Sequence, residues 1–135
     1  MKGSSPPRFF LDNNLSQDLA RALDSLGVPA EHLRDRFAPD TEDHVWLEYV
    51  GENDLFLLTR DLNIRSNPRL RQAIKDYRVG AFFLGGKERT RLELARQVLS
   101  AIYGIQDHAA NTQKPFAFIV RPRGGRLERL PLDRS

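Results

Sequence analysis

The segment Leu-Phe-Leu-Leu-Thr-Arg-Asp at residues 55–61 gives the clearest strand signal in the chain. Four consecutive apolar residues that lead directly into polar ones are typical of a strand buried on both faces, and such strands belong to parallel sheets covered by helices. Similar apolar runs predict three further buried strands and one weaker strand; they are RFFL at 8–11, VGAFFL at 79–84, PFAFIV at 115–120 and, more weakly, 28–33.

Helical patterns separate these strands. Residues 15–26 place leucines on one face and stop at Gly27, and a second helix begins near residues 40–43 and ends at Gly51. Asn67–Pro68 is a good start for a short third helix, and residues 92–102 carry the apolar face of a longer fourth one. This alternation predicts an α/β fold with a mostly parallel sheet flanked by helices on both faces.

The chain of 135 residues has the size of one domain. We divide it into a flexible N-terminus at 1–7, a folded domain at 8–120 and a basic C-terminal tail at 121–135. It has no cysteine, so thiolate metal sites and disulfides are excluded. Because it shows neither a signal peptide nor an apolar run long enough to cross a membrane, we expect a cytoplasmic protein without a membrane partner.

The charges are distributed unevenly along the chain. Residues 1–59 hold 5 Lys and Arg against 11 Asp and Glu, whereas residues 60–120 hold 11 against 5. Such asymmetry is typical of a metal site beside a phosphate-binding surface, and equally of two solvated faces of opposite charge.

Three acids are predicted to gather at one edge of the sheet. Asp12 ends the first strand, Asp61 follows the third, and Asp43 opens a helix whose N-terminus abuts the strand ends. Carboxylates that converge repel one another unless a cation lies between them, and oxygen ligands alone favour Mg²⁺ or Mn²⁺. Each acid also has a purely structural explanation, as a turn residue for Asp12 and Asp61 and as a first-turn helix residue for Asp43.

Neutral and basic residues surround these acids. Asn13 and Thr59 are predicted to hydrogen-bond the metal-binding carboxylates, Thr59 by orienting Asp61. Arginine and lysine side chains near the same edge suit a phosphodiester backbone. The predicted RNA-binding residues are Arg60, Arg65, Arg69, Lys87 and Arg89, whereas Arg71 and Arg91 are interpreted as solvated helix residues.

The first strand with Asp12–Asn13–Asn14–Leu15, the Asp43–His44–Val45–Trp46 step and residues 57–61 together resemble the compact PIN-like domains, some of which are VapC-type toxins. The resemblance spans about residues 8–120. It implies a three-layer PIN-like fold, a Mg²⁺ or Mn²⁺ site in which Asp12, Asp43 and Asp61 are both catalytic residues and metal ligands, and endonucleolytic hydrolysis of RNA. RNA, a cognate antitoxin protein and a second copy of the chain are the predicted partners. Larger PIN nucleases have a further acid, and none of the candidates Glu31, Asp35 and Asp40 lies in an identifying motif.

Two alternatives remain open. A catalytically silent PIN-like module would use the same fold to bind RNA or a protein. A phosphoacceptor domain of receiver type would place a hydroxyl residue and then a lysine at the ends of later strands, and only Lys87 fits. An Asp-x-Asp phosphatase is disfavoured because position 14 is Asn14.

Overall fold

The structure, a computed structural model, describes residues 5–60, 63–87 and 89–133. These residues form one six-stranded sheet with four helices. The strands are β1 (Arg8–Leu11), β2 (Ala30–His32), β3 (Leu55–Arg60), β4 (Gly80–Leu84), β5 (Phe116–Val120) and β6 (Leu127–Leu130). The helices are α1 (Gln17–Ser25), α2 (Asp43–Glu52), α3 (Pro68–Asp76) and α4 (Arg91–Asn111), with short 3₁₀ turns at Leu33–Asp35 and Ile64–Ser66.

The strand order is β2–β1–β3–β4–β5–β6, with β1 to β5 parallel and β6 antiparallel to β5. The predicted α/β fold is therefore confirmed. The chain passes from β1 to β2 on one side and then returns to β3 on the other, so the order reverses between β1 and β3. In open sheets of this kind, ligands bind outside the carboxyl ends of the strands at this switch point.

Two apolar layers sandwich the sheet. Phe9 and Leu11 point to the face covered by α1 and α4, whereas Phe10 points to the face covered by α2 and α3 and stacks on Trp46 with 5.7 Å between ring centres. The alternation follows from the strand period of two residues. Because both faces are covered, the central strands carry continuous apolar runs such as residues 55–58, as the sequence indicated.

The boundary predicted at residue 120 is wrong, because the segment read as a basic tail contributes β6 to the sheet. Gly124 and Gly125 have φ of +73° and +64°, a left-handed turn that favours glycine, and the Arg121 N–H donates to the Arg126 carbonyl at 2.8 Å. Leu130 is buried against the face covered by α2 and α3. Glycine, proline and arginine suggested a tail, but here they form the loop of a hairpin with β5.

No described helix is both long enough and apolar enough to cross a membrane.

Candidate active site at the carboxyl edge of the sheet

Asp12 is a buried carboxylate at the end of β1, with 6% of its surface exposed. The strand register places Leu11 of β1 opposite Leu58 of β3. Asp12 follows Leu11 and Thr59 follows Leu58, so Asp12 and Thr59 are neighbours. The Thr59 hydroxyl donates to Asp12 Oδ2 at 2.7 Å. The Asn14 N–H donates to Asp12 Oδ1 at 3.1 Å, and the Asn14 amide approaches Oδ2 at 3.4 Å. Three donors therefore fix the carboxylate at the switch point.

Burial raises the pKa of the Asp12 carboxyl above its ordinary value of 3.8. The hydrogen bonds from Thr59 and Asn14 lower this pKa, since they favour the charged form, but they do not outweigh burial. The negative charge of Asp43 raises the pKa further. The ionised form of Asp12 is thus held at a cost in free energy, which a positive charge beside it would offset.

Asp43 is the first residue of α2 and is exposed. Its negative charge contributes to the raised pKa of Asp12. Asp61, the third predicted acid, lies outside the described residues. Within residues 5–60, 63–87 and 89–133, no three histidine, aspartate or glutamate side chains group as metal ligands. The predicted triad depends on Asp61 and stays a prediction.

The two neutral residues predicted beside the acids have different contacts from those expected. Thr59, expected to orient Asp61, donates to Asp12. Asn13, expected to support a ligated carboxylate, donates its side-chain amide to the Pro39 carbonyl at 2.7 Å and accepts from Arg34 Nε at 3.2 Å. Asn14 takes the role that the sequence had suggested for Asn13, because the turn after β1 directs residue 14 back toward the carboxylate.

Two of the three candidates for a fourth acid, Glu31 and Asp35, are engaged elsewhere. Glu31 accepts from Arg36 Nε at 2.9 Å and from the Tyr49 hydroxyl at 2.7 Å. Asp35 accepts from the His32 N–H at 2.9 Å and closes the 3₁₀ turn that follows β2. Both therefore have structural partners.

His32 supports the loop after Asp12. Its Nδ1 accepts from the Arg34 N–H at 3.0 Å, and its Nε2 contacts the Leu15 carbonyl at 2.8 Å. The buried imidazole thus joins the start of α1 to the end of β2. His32 therefore has a structural role.

A groove of about 470 Å³ runs along the same edge, on the side of α1 and α4. Asn13 and Asn14 line it, directly after Asp12, and so does Arg60, directly after Thr59. Its basic residues are Arg34, Arg60, Arg89 and Arg91. In β3, Thr59 shares the α2 and α3 side with Leu57, whereas Arg60 shares the α1 and α4 side with Leu58. The Asp12 carboxylate, which Thr59 contacts, and the arginines of the groove therefore lie on opposite sides of the same strand ends.

The structure brings only part of the predicted RNA-binding set to this groove. Arg60 and Arg89 line it, whereas Lys87 lines an adjoining groove. Arg65 pairs with Glu128 of β6 at 3.1 Å, and Arg69 is an exposed residue of α3 on the opposite face.

Arg71 was misjudged from the sequence, and Arg34 was not singled out. Arg71 is buried rather than solvated, since its Nη1 donates to the carbonyls of Ile64 at 2.9 Å and Arg65 at 2.6 Å. Arg91 is exposed, as interpreted, and also lines the groove at the start of α4, where it lies 3.8 Å from Asp18. Arg34 reaches the groove from the turn after β2. The position of Arg71 on the same face of α3 as Ile74 could have indicated that Arg71 is buried. No local pattern distinguishes Arg34 from a solvated arginine.

The ends of β4 and β5 do not favour the receiver-type alternative. Gly85 and Gly86 follow β4 without a hydroxyl residue, Lys87 comes after β4 instead of β5, and Arg121 follows β5.

The fold and this edge define the class: an α/β domain with a buried carboxylate at the switch point beside an arginine-lined groove. Comparison with known families gives a match to the family described as PIN like domain over residues 7–86, more than half of the chain. The chain belongs to this family, and PIN-like domains are generally nucleases. Neither the curated proteins nor the solved structures give a match.

Proposed function

We propose that this protein is a metal-dependent endoribonuclease that hydrolyses RNA phosphodiester bonds. The observation that carries the proposal is the buried Asp12 carboxylate, fixed by Thr59 and Asn14 and followed directly by residues of an arginine-lined groove. A buried acid beside concentrated positive charge suits a reaction that must hold both a cation and a polyanion.

The residues fit a hard divalent cation. Burial disfavours the ionised form of Asp12, and the charge of Asp43 disfavours it further, so a cation between them would relieve both effects. Asp12, Asp43 and Asp61 would hold Mg²⁺ or Mn²⁺ through oxygen atoms, which these ions prefer. The chemistry that such an ion supplies is an activated water and stabilised charge on the leaving oxygen.

The residues of the chain itself would orient the Asp12 carboxylate and bind the substrate. Thr59 and Asn14 hold the Asp12 carboxylate in one orientation, so it needs no reorganisation when substrate binds. Arg60 and Arg89 would bind phosphate oxygens on the other side of the strand ends. Because guanidinium groups contact the backbone and not the bases, this positioning would be independent of sequence.

We further propose that the nuclease is the toxin of a toxin–antitoxin pair. The support is the resemblance of the Asp12, Asp43 and Asp61 segments to VapC-type domains. An adjacent reading frame that encodes a small DNA-binding protein would support this role.

The decisive measurement is cleavage of single-stranded RNA in Mn²⁺, with EDTA as the metal-free control. Asp12→Asn and Asp61→Asn keep the size of the side chain but remove the charge that a hard cation needs. Each should lower the cleavage rate by at least ~100-fold, since losing a ligand also loses the activated water.

Asp54→Asn is the matched control, because Asp54 lies before β3 at the opposite edge of the sheet and pairs with Lys114. It should cleave like the wild type. Equal cleavage by the Asp61→Asn variant and the wild type would contradict the role of Asp61. If the wild type binds RNA but cleaves none of several varied RNAs, the catalytically silent binding module is the better description.

A further inference from the structure

A second basic groove adjoins the first. It has a volume of about 820 Å³ and lies between the loop after β4, the first turns of α4 and the loop of the β5–β6 hairpin. Arg89 lines both grooves, so they meet at this side chain. The basic residues that line the second groove are Lys87, Arg89, Arg96 and Arg123.

The positive charge of this groove is only partly offset within the described part of the chain, by Glu93. Lys87, Arg96 and Arg123 form no ion pair with any described carboxylate. Glu93, an acidic residue of the lining, is engaged in capping α4, where it accepts from the Thr90 N–H at 2.9 Å. The neighbouring Arg121, by contrast, pairs with Glu128.

Arg89 is held in place at the junction of the two grooves. Its Nη1 donates to Gln97 Oε1 at 2.5 Å and its Nη2 donates to the Gly85 carbonyl at 3.3 Å. Gln97 is itself buried and donates to the carbonyls of Gly85 at 2.9 Å and Val120 at 3.0 Å. A single glutamine therefore joins α4 to the ends of β4 and β5 and fixes the guanidinium that both grooves share.

Most of the second groove lies beyond the part of the chain that matches the family, which ends at residue 86. Its arginines come from α4 and from the hairpin loop, where Gly124 has a φ of +73° and allows the tight turn beside Arg123. The surface is thus built mainly by the C-terminal third of this chain.

We propose that the second groove binds the phosphate backbone of the RNA strand that enters the candidate active site, so that one strand occupies both grooves across Arg89. The inference rests on the proposed ribonuclease function and adds the path of the substrate. Binding there would be independent of base sequence, because guanidinium and ammonium groups contact phosphate oxygens and not base edges.

The test is binding of fluorescent single-stranded RNA in EDTA, which prevents cleavage, with oligonucleotides of about 4 and about 12 nucleotides, the range of common strand-binding sites. Arg96→Gln combined with Arg123→Gln removes two charges from the second groove alone. It should weaken binding of the longer RNA about tenfold at low salt, and the slope of log K against log salt should become less steep by about 1.4, or about 0.7 per lost phosphate contact. Binding of the shorter RNA should change less than about twofold, because it can occupy the first groove alone.

Arg8→Gln combined with Arg78→Gln is the matched control. Both arginines are exposed near the amino ends of the strands, and each donates one hydrogen bond to a backbone carbonyl. This variant loses the same net charge and should bind both RNAs like the wild type. Arg60→Gln should weaken both RNAs, because Arg60 lines the first groove.

The outcomes separate the two proposals. If the Arg96 and Arg123 variant binds the longer RNA as tightly as the wild type, while Arg60→Gln weakens it, the second groove is not part of the path. An equal loss in the control variant would also overturn the inference, since binding would then reflect net charge alone. If the wild type binds neither RNA, the proposed function fails together with the inference.

Discussion

At the scale of single residues, hydrogen bonds fix the orientation of the Asp12 carboxylate, although burial disfavours its ionised form. Three donors from Thr59 and Asn14 satisfy its oxygens, yet burial and the charge of Asp43 keep its pKa raised. A raised pKa in the folded state means that the folded chain binds this proton more tightly than the unfolded chain does. The contribution of Asp12 to stability is therefore present below pH 3.8 and is lost as the pH rises through the raised pKa.

We predict that Asp12→Asn raises the melting temperature of the metal-free protein at neutral pH by a few degrees, the shift that about 1 kcal/mol produces at this size. The amide removes a buried charge but can still accept a hydrogen bond from Thr59. Millimolar Mn²⁺ should raise the melting temperature of the wild type, since a ligand of the folded state stabilises it, and should have a smaller effect on the variant.

Thermal melts with EDTA and with Mn²⁺, at neutral pH and near pH 4, check both expectations. Asp54→Asn again serves as the control for loss of one carboxylate. A wild-type melting temperature that does not respond to Mn²⁺ would argue strongly against a metal site at Asp12.

At the scale of elements, a polar cluster ties α2 to β2 on the outer side of the site. The Tyr49 hydroxyl of α2 donates to Glu31 Oε2 of β2 at 2.7 Å, and Arg36 donates to the same carboxylate and lies 5.2 Å from the centre of the Tyr49 ring. Burial, followed by the hydrogen bond to Glu31 and the charge of Glu31, raises the pKa of Tyr49 to about 12. This cluster helps position α2, whose first residue is Asp43.

We predict that Tyr49→Phe lowers the free energy of unfolding by about 1 kcal/mol at neutral pH, because the hydrogen bond is lost. The neutral hydroxyl stabilises the fold, so this stabilisation is present below pH 10 and is lost as the pH rises through about 12. The difference between wild type and variant should therefore shrink across that range.

Urea unfolding at pH 7, 10 and 11.5 measures the difference. Tyr103→Phe is the control, because the Tyr103 side chain is 85% exposed and forms no described hydrogen bond. A constant difference at all three pH values would contradict the assigned role of the hydroxyl.

At the scale of the whole molecule, the β5–β6 hairpin completes the sheet. Leu130 is buried on one face and Leu127 packs against the other, so β6 contributes to both apolar layers. Its Glu128 also pairs with Arg65 and Arg121. The hairpin thus protects the edge of β5, which would otherwise expose unpaired backbone groups.

We predict that a chain ending at Val120 loses at least about 2 kcal/mol of stability, since it loses the burial of two leucine side chains. It should also self-associate, because the bare edge of β5 can pair with another chain. Urea unfolding and light scattering measure these two effects. A truncated chain that is as stable as the full chain and monomeric would show that β6 has no structural role.

The amino-acid sequence by itself determined the α/β fold. Buried strands such as residues 55–58 and glycine or proline helix boundaries such as Gly27 and Pro68 are local signals, and the structure has an element at each of them. It also indicated that Asp12 ends a strand, because an apolar run followed by Asp and Asn is readable without any partner. Local sequence patterns suffice to predict helices and strands, because burial periodicity and helix capping depend on residues close together in the sequence.

Tertiary structure alone decided how the candidate site is assembled. That Thr59 donates to Asp12, that Asn14 and not Asn13 supports this carboxylate, and that Arg34 joins Arg89 in one groove all depend on strand order and register. The same holds for β6, whose Leu-Glu-Arg-Leu sequence is a strand only because β5 offers it an edge. Pairing between distant segments is set by the packing of the whole chain, and no window of sequence contains both partners.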